Sequence, residues 1–171
     1  MRIRLTSALV SFSIIALGGT HLHAQENREL DSHEHGHVKM EIAIEKNKMN
    51  IAVEAPGESI VGFEHAAKTD AQKAAVAAAQ KQLSDPAAIF ELPSQAGCTV
   101  ESASAELHQH GGHNEFEASY AFTCTDIEAL KTVETKLFSL YPTIDEIDVD
   151  YVVPGGQGSV ELEPDAPTVK F

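Results

Sequence analysis

Residues 38–56 read VKMEIAIEKNKMNIAVEAP, and this stretch decides the fold. Apolar and polar side chains alternate along its first half, which predicts a half-buried β-strand. The apolar residues of that strand are Val38, Met40, Ile42 and Ile44. Lys46, Asn47 and Lys48 form a predicted turn, after which the alternation resumes in a second strand that Pro56 ends. The stretch therefore predicts a β-hairpin with one buried face and one exposed face.

Two more hairpins follow the same pattern, each around a pair of glycines that lets the chain fold back. Residues 98–107 and 115–124 flank the glycines at 111–112. Residues 147–162 alternate in the same way on either side of Gly155–Gly156. Clean alternation in nearly every strand predicts an antiparallel sheet with one apolar and one polar face.

Two helices are predicted between the hairpins. Thr69 and Gln72 form a capping box for the first helix, which ends before Pro86. Thr125 and Glu128 repeat this box ahead of an apolar stripe at helical spacing, which predicts the second helix. The alanine-rich first helix is well suited to lie close against a sheet.

The predicted element order is ββαββαββ. This order indicates an α+β fold of two layers, with an antiparallel sheet of about six strands and two helices on one face. The helices would cover the apolar face, and the opposite face would carry the acidic residues. The acidic residues of this exposed face are Glu41, Glu45, Glu54, Glu115, Glu117, Asp148, Asp150, Glu161 and Glu163. The order of the strands does not follow from the pattern.

Residues 1–24 have the pattern of a secretory signal peptide. Arg2 and Arg4 precede a short apolar run, and small residues lead to the cleavage point. The apolar run is too short to anchor the chain in a bilayer. Residues 25–32 are predicted to be a flexible polar segment, and residues 33–171 to form a single domain. We therefore expect a soluble, exported protein without this leader.

Acidic residues dominate the exported chain. Two of the 12 Lys and Arg residues lie in the signal peptide, so 10 remain against 26 Asp and Glu residues, a formal net charge of −16. Such a surface repels phosphate backbones, and nucleic acid is not an expected partner. The same surface attracts cations, although a solubilising excess of acidic residues does so without specificity.

The two cysteines, Cys98 and Cys124, lie at equal distances along the chain from Gly111. An even number of cysteines in an exported chain predicts a disulfide. A hairpin that turns at Gly111 would place the two sulfur atoms opposite each other. The alternative, a pair of thiolate metal ligands, requires a reducing compartment.

Six of the nine histidines occur in two short motifs, HEHGH and HQHGGH. The first motif supplies His33, His35 and His37, and the second supplies His108, His110 and His113. Neutral imidazole is the commonest protein ligand for transition metals, and His-rich tracts are typical of metal binding. If the first strand extends backward, the first three imidazoles share its exposed face. We interpret both motifs as metal ligands; a polar tail and a polar turn are the plainer alternatives.

A further candidate ligand is His65, in the sequence GFEHA between the second strand and the first helix. Its neighbour Glu64 is a candidate carboxylate ligand, or an acceptor that orients an imidazole. The plainer alternative is a structural histidine that packs on Phe63 or bonds to the backbone. A site shared with either His motif requires the fold to bring these segments together.

No catalytic motif accompanies the histidines, so an enzyme is not expected. G-x-S-x-G, Walker A and C-x-x-C sequences do not occur in the chain. His33, Glu34 and His37 do spell H-E-x-x-H, but that protease motif works on a helix, whereas here it contains Gly36 and runs into a predicted strand. A zinc hydrolase would have only Glu34 and Glu64 as candidate bases. The remaining alternative is an exported interaction module whose acidic face or open sheet edge binds a partner.

Four segments resemble the ZrgA-like family in the same order along nearly the whole exported chain. They are HEHGHVKMEIAIEKNKMNIAVEAP (33–56), VGFEHAAKTDAQKAAVAAA (61–79), AGC (96–98) and LFSLYPTIDEIDVDYVVPGGQGSVELEP (137–164). The resemblance implies a periplasmic protein that binds Zn²⁺ and assists a high-affinity zinc ABC importer, whose solute-binding protein would be the partner. It assigns the ligand role to the histidines of both motifs and to His65. The insert between the cysteines is shorter here than in many relatives, which argues against a high zinc stoichiometry.

Two properties follow for such a site. Imidazole binds a metal only when deprotonated, so zinc affinity should fall as the pH drops through about 6.5. Other divalent transition metals are expected to bind in vitro, because His and carboxylate sites follow the Irving–Williams order.

Overall fold

The computed structural model describes residues 36–110 and 112–171, apart from the side chain of His110. The predicted signal peptide, the segment 25–32, and His33, Glu34 and His35 lie outside the described residues. The strands are β1 (His37–Glu45), β2 (Lys48–Pro56), β3 (Phe90–Glu91), β4 (Cys98–His110), β5 (His113–Cys124), β6 (Thr132–Thr135), β7 (Glu146–Val153), β8 (Gly156–Leu162) and β9 (Thr168–Lys170). The helices are α1 (Gly57–Val61), α2 (Asp70–Leu83), α3 (Pro86–Ile89) and α4 (Leu137–Leu140).

All three predicted hairpins are confirmed. β1 pairs with β2, β4 with β5, and β7 with β8, each pair antiparallel. The third turn lies at Pro154 and Gly155, one residue earlier than the sequence indicated, and Gly156 already belongs to β8. Met40 and Met49 are buried, as the alternation predicted.

The hairpins assemble into a six-stranded sheet in the order β4-β5-β2-β1-β7-β8. β1 and β7 are parallel neighbours, so the sheet is mixed and the prediction of a purely antiparallel sheet was wrong. Side-chain alternation is the same in parallel and antiparallel strands, so the pattern carries no information on strand direction. The crossover that delivers β7 beside β1 positions the site described below.

The first predicted helix is confirmed as α2, with its capping box. The Thr69 hydroxyl accepts the Gln72 backbone N–H at 3.2 Å, and the Gln72 side-chain oxygen accepts the Thr69 N–H at 3.1 Å. The C-terminal end of α2 packs on the main sheet, where the buried Tyr120 hydroxyl donates to the Leu83 carbonyl at 2.7 Å. Burial raises the pKa of Tyr120, which keeps this phenol a donor.

The second predicted helix was wrong. The segment 127–140 forms a short 3₁₀ turn, then β6, then the four-residue α4. Asp126, and not Thr125, caps the turn, because its carboxylate accepts the Ala129 N–H at 3.3 Å. Thr132, Val133 and Thr135 are β-branched and alternate in burial, which favours a strand over a helix.

β6 lies between β3 and β9 in a separate three-stranded sheet. The fold is therefore α+β, but two sheets and short helices replace the simple two-layer ββαββαββ arrangement. One apolar cluster joins the buried residues of both sheets with those of α2. Phe90 of β3 contacts Tyr120 of β5 edge-to-face, with ring centroids 5.0 Å apart. The opposite face of the six-stranded sheet is left exposed and carries the acidic side chains.

The disulfide between Cys98 and Cys124 is present, as predicted. The two residues are register partners at the base of the β4–β5 hairpin. The bond therefore closes the end of the hairpin opposite its His-containing tip.

Candidate metal centre

A single cross-strand row of charged residues runs across all six strands of the exposed face. Neighbours in this row are direct register partners, and we call it the acidic row. Its members, in strand order from β4 to β8, are Glu106, Glu117, Glu54, Lys39, Asp148 and Glu161. Five carboxylates thus share one line of the sheet with one ammonium group.

The carboxylates of the acidic row and its neighbourhood affect the pKa of Glu54. Partial burial raises the pKa of Glu54 above its ordinary value, and the neighbouring carboxylates of Glu115 and Glu117 raise it further, while Lys39 opposes them. Like charges on adjacent strands repel. A cation bound near this row would therefore relieve a repulsion that is already present.

A concavity of ≈ 520 Å³ lies over the centre of the exposed face. The lining residues are Lys39, Met40, Glu41, Ala52, Glu54, Asp148, Val149, Asp150, Ser159, Val160 and Glu161. Five of them carry a carboxylate and one carries an ammonium group. The concavity is open to solvent and strongly acidic, which suits a cation or a basic group of a partner.

Three candidate metal ligands meet where β1 and β7 begin, and we call them the β1–β7 centre. They are His37, Glu146 and Asp148, and each offers a ligand atom within 4.8 Å of the others. His37 and Glu146 are register partners, with Nδ1 3.5 Å from Oε1. Ligand atoms of a tetrahedral zinc ion with bonds of about 2.0–2.1 Å lie about 3.3–3.4 Å apart. The spacing therefore fits a zinc ion after small side-chain movements.

Gly36 sets the start of β1 against β7. Its carbonyl accepts the N–H groups of Asp145 at 2.8 Å and Glu146 at 3.2 Å, and its own N–H donates to Ser59 Oγ at 3.2 Å. Its φ of +88° is left-handed, and a Cβ here would lie 2.7 Å from Asp145 Oδ2. Glycine is therefore required at this position.

This turn corrects the expectation that the first strand extends backward through HEHGH. β1 begins at His37, and the left-handed φ of Gly36 interrupts the extended alternation. The placement of His33 and His35 on one face with His37 stays a prediction. His37 itself lies beside candidate carboxylate ligands of β7, and His33 and His35 lie outside the described residues.

His108 lies beside two carboxylates of β4 and β5. Its Nε2 lies 3.5 Å from Glu106 Oε2 and 3.6 Å from Glu117 Oε2. Glu115 is its direct register partner on β5. His108 is thus set among carboxylates of the strands and lies at one end of the acidic row.

His113 meets Glu64 near the hairpin tip. Its Nδ1 lies 2.6 Å from Glu64 Oε2, and the Glu64 side chain is only 19% exposed. Asn114 holds the two segments together, since its N–H donates to the Glu64 carbonyl at 2.6 Å and its side-chain amide to the His65 carbonyl at 2.7 Å. The fold therefore brings GFEHA to the second His motif, and Glu64 orients the imidazole of His113.

His65 itself has the contacts of the plainer alternative. Its ring stacks on Phe63 with centroids 5.2 Å apart, and its Nδ1 lies 2.9 Å from the Ala66 carbonyl oxygen. The side chain is exposed. Its ligand role stays a prediction.

The sequence matches the model of a known protein family. A family model described as "ZrgA family zinc uptake protein" matches residues 32–171. The chain belongs to the ZrgA family. The resemblance noted from the sequence is thereby confirmed, and a role related to zinc follows from the family. No curated protein gave a match.

The ligand types found in this ZrgA-family chain agree with zinc. The β1–β7 centre offers one imidazole and two carboxylates. Zn²⁺ accepts both nitrogen and oxygen ligands of this kind.

In the described part of the chain, no helix combines the length and apolar character needed to cross a membrane.

Glu146 is a candidate ligand that the sequence did not single out. Asp148 and Glu117 were predicted only as exposed-face acids. Alternation does place them on the same face as the neighbouring histidines, and that was the available signal. The contact between His37 and Glu146 depends on the parallel pairing of β1 with β7, which no local pattern reveals.

Proposed function

We propose that this protein captures Zn²⁺ at the β1–β7 centre, outside the cytoplasm, and assists a high-affinity zinc ABC importer. The supporting observation is the meeting of His37, Glu146 and Asp148, whose ligand atoms lie within 4.8 Å of one another. Family membership supports the choice of zinc. The predicted signal peptide and the disulfide support an oxidising compartment, for which we propose the periplasm.

The geometry suits an ion that is bound and then released. Closed structural zinc sites use four protein ligands, commonly including buried cysteines. The β1–β7 centre offers three, and two of them, Glu146 and His37, are only half-buried, while Asp148 is exposed. An open fourth position allows a ligand of an acceptor protein to enter before the ion leaves. We propose the solute-binding protein of the importer as that acceptor.

An open position also occurs in zinc enzymes, but we propose that this protein is not one. A hydrolase needs a general base that reaches metal-bound water. Glu64, one of the two bases that the sequence offered, bonds instead to His113 in the described structure. We also propose the other histidines of the two motifs, and His65, as additional zinc ligands.

Substitution within the centre tests this proposal. His37→Ala and Asp148→Asn each remove one ligand, and each should weaken Zn²⁺ binding at least tenfold in isothermal titration of the untagged protein at pH 7.5. Asp150→Asn is the matched control, because Asp150 lies on the same strand and face but not among the three ligands. It should change the affinity less than about threefold, through screened charge alone.

Cells that carry His37→Ala should also grow poorly when zinc is limited by a chelator, whereas Asp150→Asn cells should grow like the wild type. Equal zinc affinity in wild type and both ligand variants would refute the β1–β7 centre. Normal zinc-limited growth after substitution of all clustered histidines would favour the interaction module instead. The acidic concavity beside the centre is the observation that supports that second candidate.

A further inference from the structure

We propose that Ser59 and Thr143 are positioning residues, which hold His37 and Glu146 of the β1–β7 centre at the spacing that a zinc ion needs. Ser59 lies in α1, and Thr143 lies in the segment that leads into β7. Neither is among the three candidate ligands. The inference rests on the zinc-binding function proposed above and deepens it, because it assigns the geometry of the centre to residues behind the ligands.

Three segments of the chain meet at Gly36, and we call this meeting point the Gly36 junction. Ser59 Oγ accepts the Gly36 N–H at 3.2 Å, and the Thr143 hydroxyl donates to the Ser59 carbonyl at 2.7 Å. The Thr143 carbonyl also lies against Gly36, since a Cβ on that glycine would be 3.3 Å from it. The junction therefore ties the start of β1, α1 and the segment before β7 together.

The junction acts on two of the ligands through the backbone of Gly36. The Gly36 carbonyl accepts the N–H groups of Asp145 and Glu146, and His37 follows Gly36 directly. His37 and Glu146 are the first register pair of β1 and β7. The end of a strand pairing opens more readily than its middle, so this pair gains from a constraint outside the pairing. Because the N–H and the carbonyl of Gly36 are both bonded, the backbones of His37 and Glu146 are held in place before a metal ion arrives.

Ser59 is suited to this role because buried packing fixes its own position. The residue is only 3% exposed. Gly57, two residues earlier in α1, lies so close to β5 that a Cβ would be 2.9 Å from the Cβ of Asn114. Asn114 is buried as well, and it donates to the Glu64 and His65 carbonyls. α1 therefore rests on a buried, hydrogen-bonded part of the fold.

Removal of the Ser59 hydroxyl would leave the Gly36 N–H without this acceptor at a buried position, which is unfavourable. The backbone would shift to find another acceptor, and His37 would move with it. A metal ion would then have to order its own ligands, and the cost of that ordering reduces the affinity. Zinc affinity therefore measures the contribution of the junction.

Zinc titrations of the untagged protein at pH 7.5 test this role. Ser59→Ala removes the acceptor of the Gly36 N–H, and Thr143→Val removes the second hydrogen bond while keeping the size of the side chain. Thr143→Ser keeps the hydroxyl and is the conservative control. Thr69→Ala removes the N-cap of α2, outside the junction, and is the control for a general loss of stability. Circular dichroism melting measures the stability of each variant.

Ser59→Ala and Thr143→Val should each weaken zinc binding about five- to tenfold, near the lower end of the loss that follows removal of a group that orients a metal ligand. Thr143→Ser keeps the hydrogen bond and Thr69→Ala acts elsewhere, so both should stay within about twofold of the wild type. Co²⁺ in place of Zn²⁺ gives a second readout, since its visible absorption depends on ligand geometry. The bands that His37→Ala loses belong to the centre. They should change in Ser59→Ala and Thr143→Val and stay the same in Thr69→Ala.

If Ser59→Ala and Thr143→Val bind Zn²⁺ as tightly as Thr69→Ala, with unchanged Co²⁺ bands, the junction serves only the stability of the fold and the positioning role is wrong. Equal losses in Thr143→Ser and Thr143→Val would also contradict it, because the hydroxyl would then be irrelevant. If Ser59→Ala does not fold, Thr143→Val decides alone, since Thr143 is exposed. Failure of the β1–β7 centre itself appears in another variant, as wild-type affinity in His37→Ala, and would overturn both proposals.

Discussion

At the scale of single residues, the pKa of Glu54 indicates how the acidic row affects the stability of the fold. Its pKa is raised above 4.5, first by burial and then by the charge of Glu115. A carboxyl group with a raised pKa binds its proton more tightly in the folded protein than in the unfolded chain. Ionised Glu54 therefore destabilises the fold at neutral pH, and this penalty disappears as the pH falls below the ordinary range of glutamate.

Glu54→Gln should consequently stabilise the protein at pH 7 and have little effect at pH 4. Because Glu54 is exposed, the expected gain is only about 0.5 kcal/mol in the free energy of unfolding. Urea denaturation at both pH values measures it, and Glu163→Gln, an exposed acid outside the row, is the control. An equal gain at both pH values would show that charge is not the cause.

Single residues also show how far the sequence could predict the site. His37 was predicted as a ligand from its motif alone, because imidazole-rich tracts are unusual and chemically specific. Glu146 was not, since an acidic residue in an acidic chain carries little information. Its role arises only when β7 is placed beside β1, a contact between segments more than 100 residues apart.

At the scale of secondary-structure elements, local sequence signals predicted the three hairpins and α2 correctly, but not β6. The three hairpins and α2 have strict alternation, tight turns or a capping box, and these interactions lie within a few residues. The segment 127–140 has apolar residues at spacings that suit a helix, yet β6 forms there because β3 and β9 supply partners. Tertiary pairing therefore overrode a local pattern at that element.

The β4–β5 hairpin depends on its disulfide for stability. Joining Cys98 to Cys124, which are 26 residues apart, restricts the unfolded chain, and the loop-entropy estimate is about 3.5 kcal/mol. The double variant Cys98→Ala/Cys124→Ala should lose a free energy of unfolding of that order in urea denaturation.

Reduction of the wild type should cost a similar amount, and reducing agent should not affect the double variant, which makes that variant its own control. A loss below about 1 kcal/mol would show that the hydrogen bonds of the hairpin suffice to hold it.

At the scale of the whole molecule, the acidic row runs across every strand of the main sheet, from Glu106 on β4 to Glu161 on β8. Lys39 on β1 is the only cationic residue in that row, between Glu54 and Asp148 in register. Its ammonium group repels incoming metal ions over a distance comparable with the screening length of physiological salt, about 8 Å. We therefore expect Lys39 to lower the affinity of the exposed face for divalent cations.

Lys39→Met should increase Zn²⁺ affinity about two- to fivefold at low ionic strength, with a smaller gain in 0.5 M NaCl because salt screens the interaction. Lys46→Met is the matched control. It removes the same charge at the β1–β2 turn, which lies seven residues further along the strand, or about 23 Å away. Isothermal titration at two salt concentrations compares them. If both variants shift the affinity equally, net charge governs cation binding and the acidic row has no special role. If Lys39→Met weakens binding, Lys39 orders the carboxylates instead of repelling the metal.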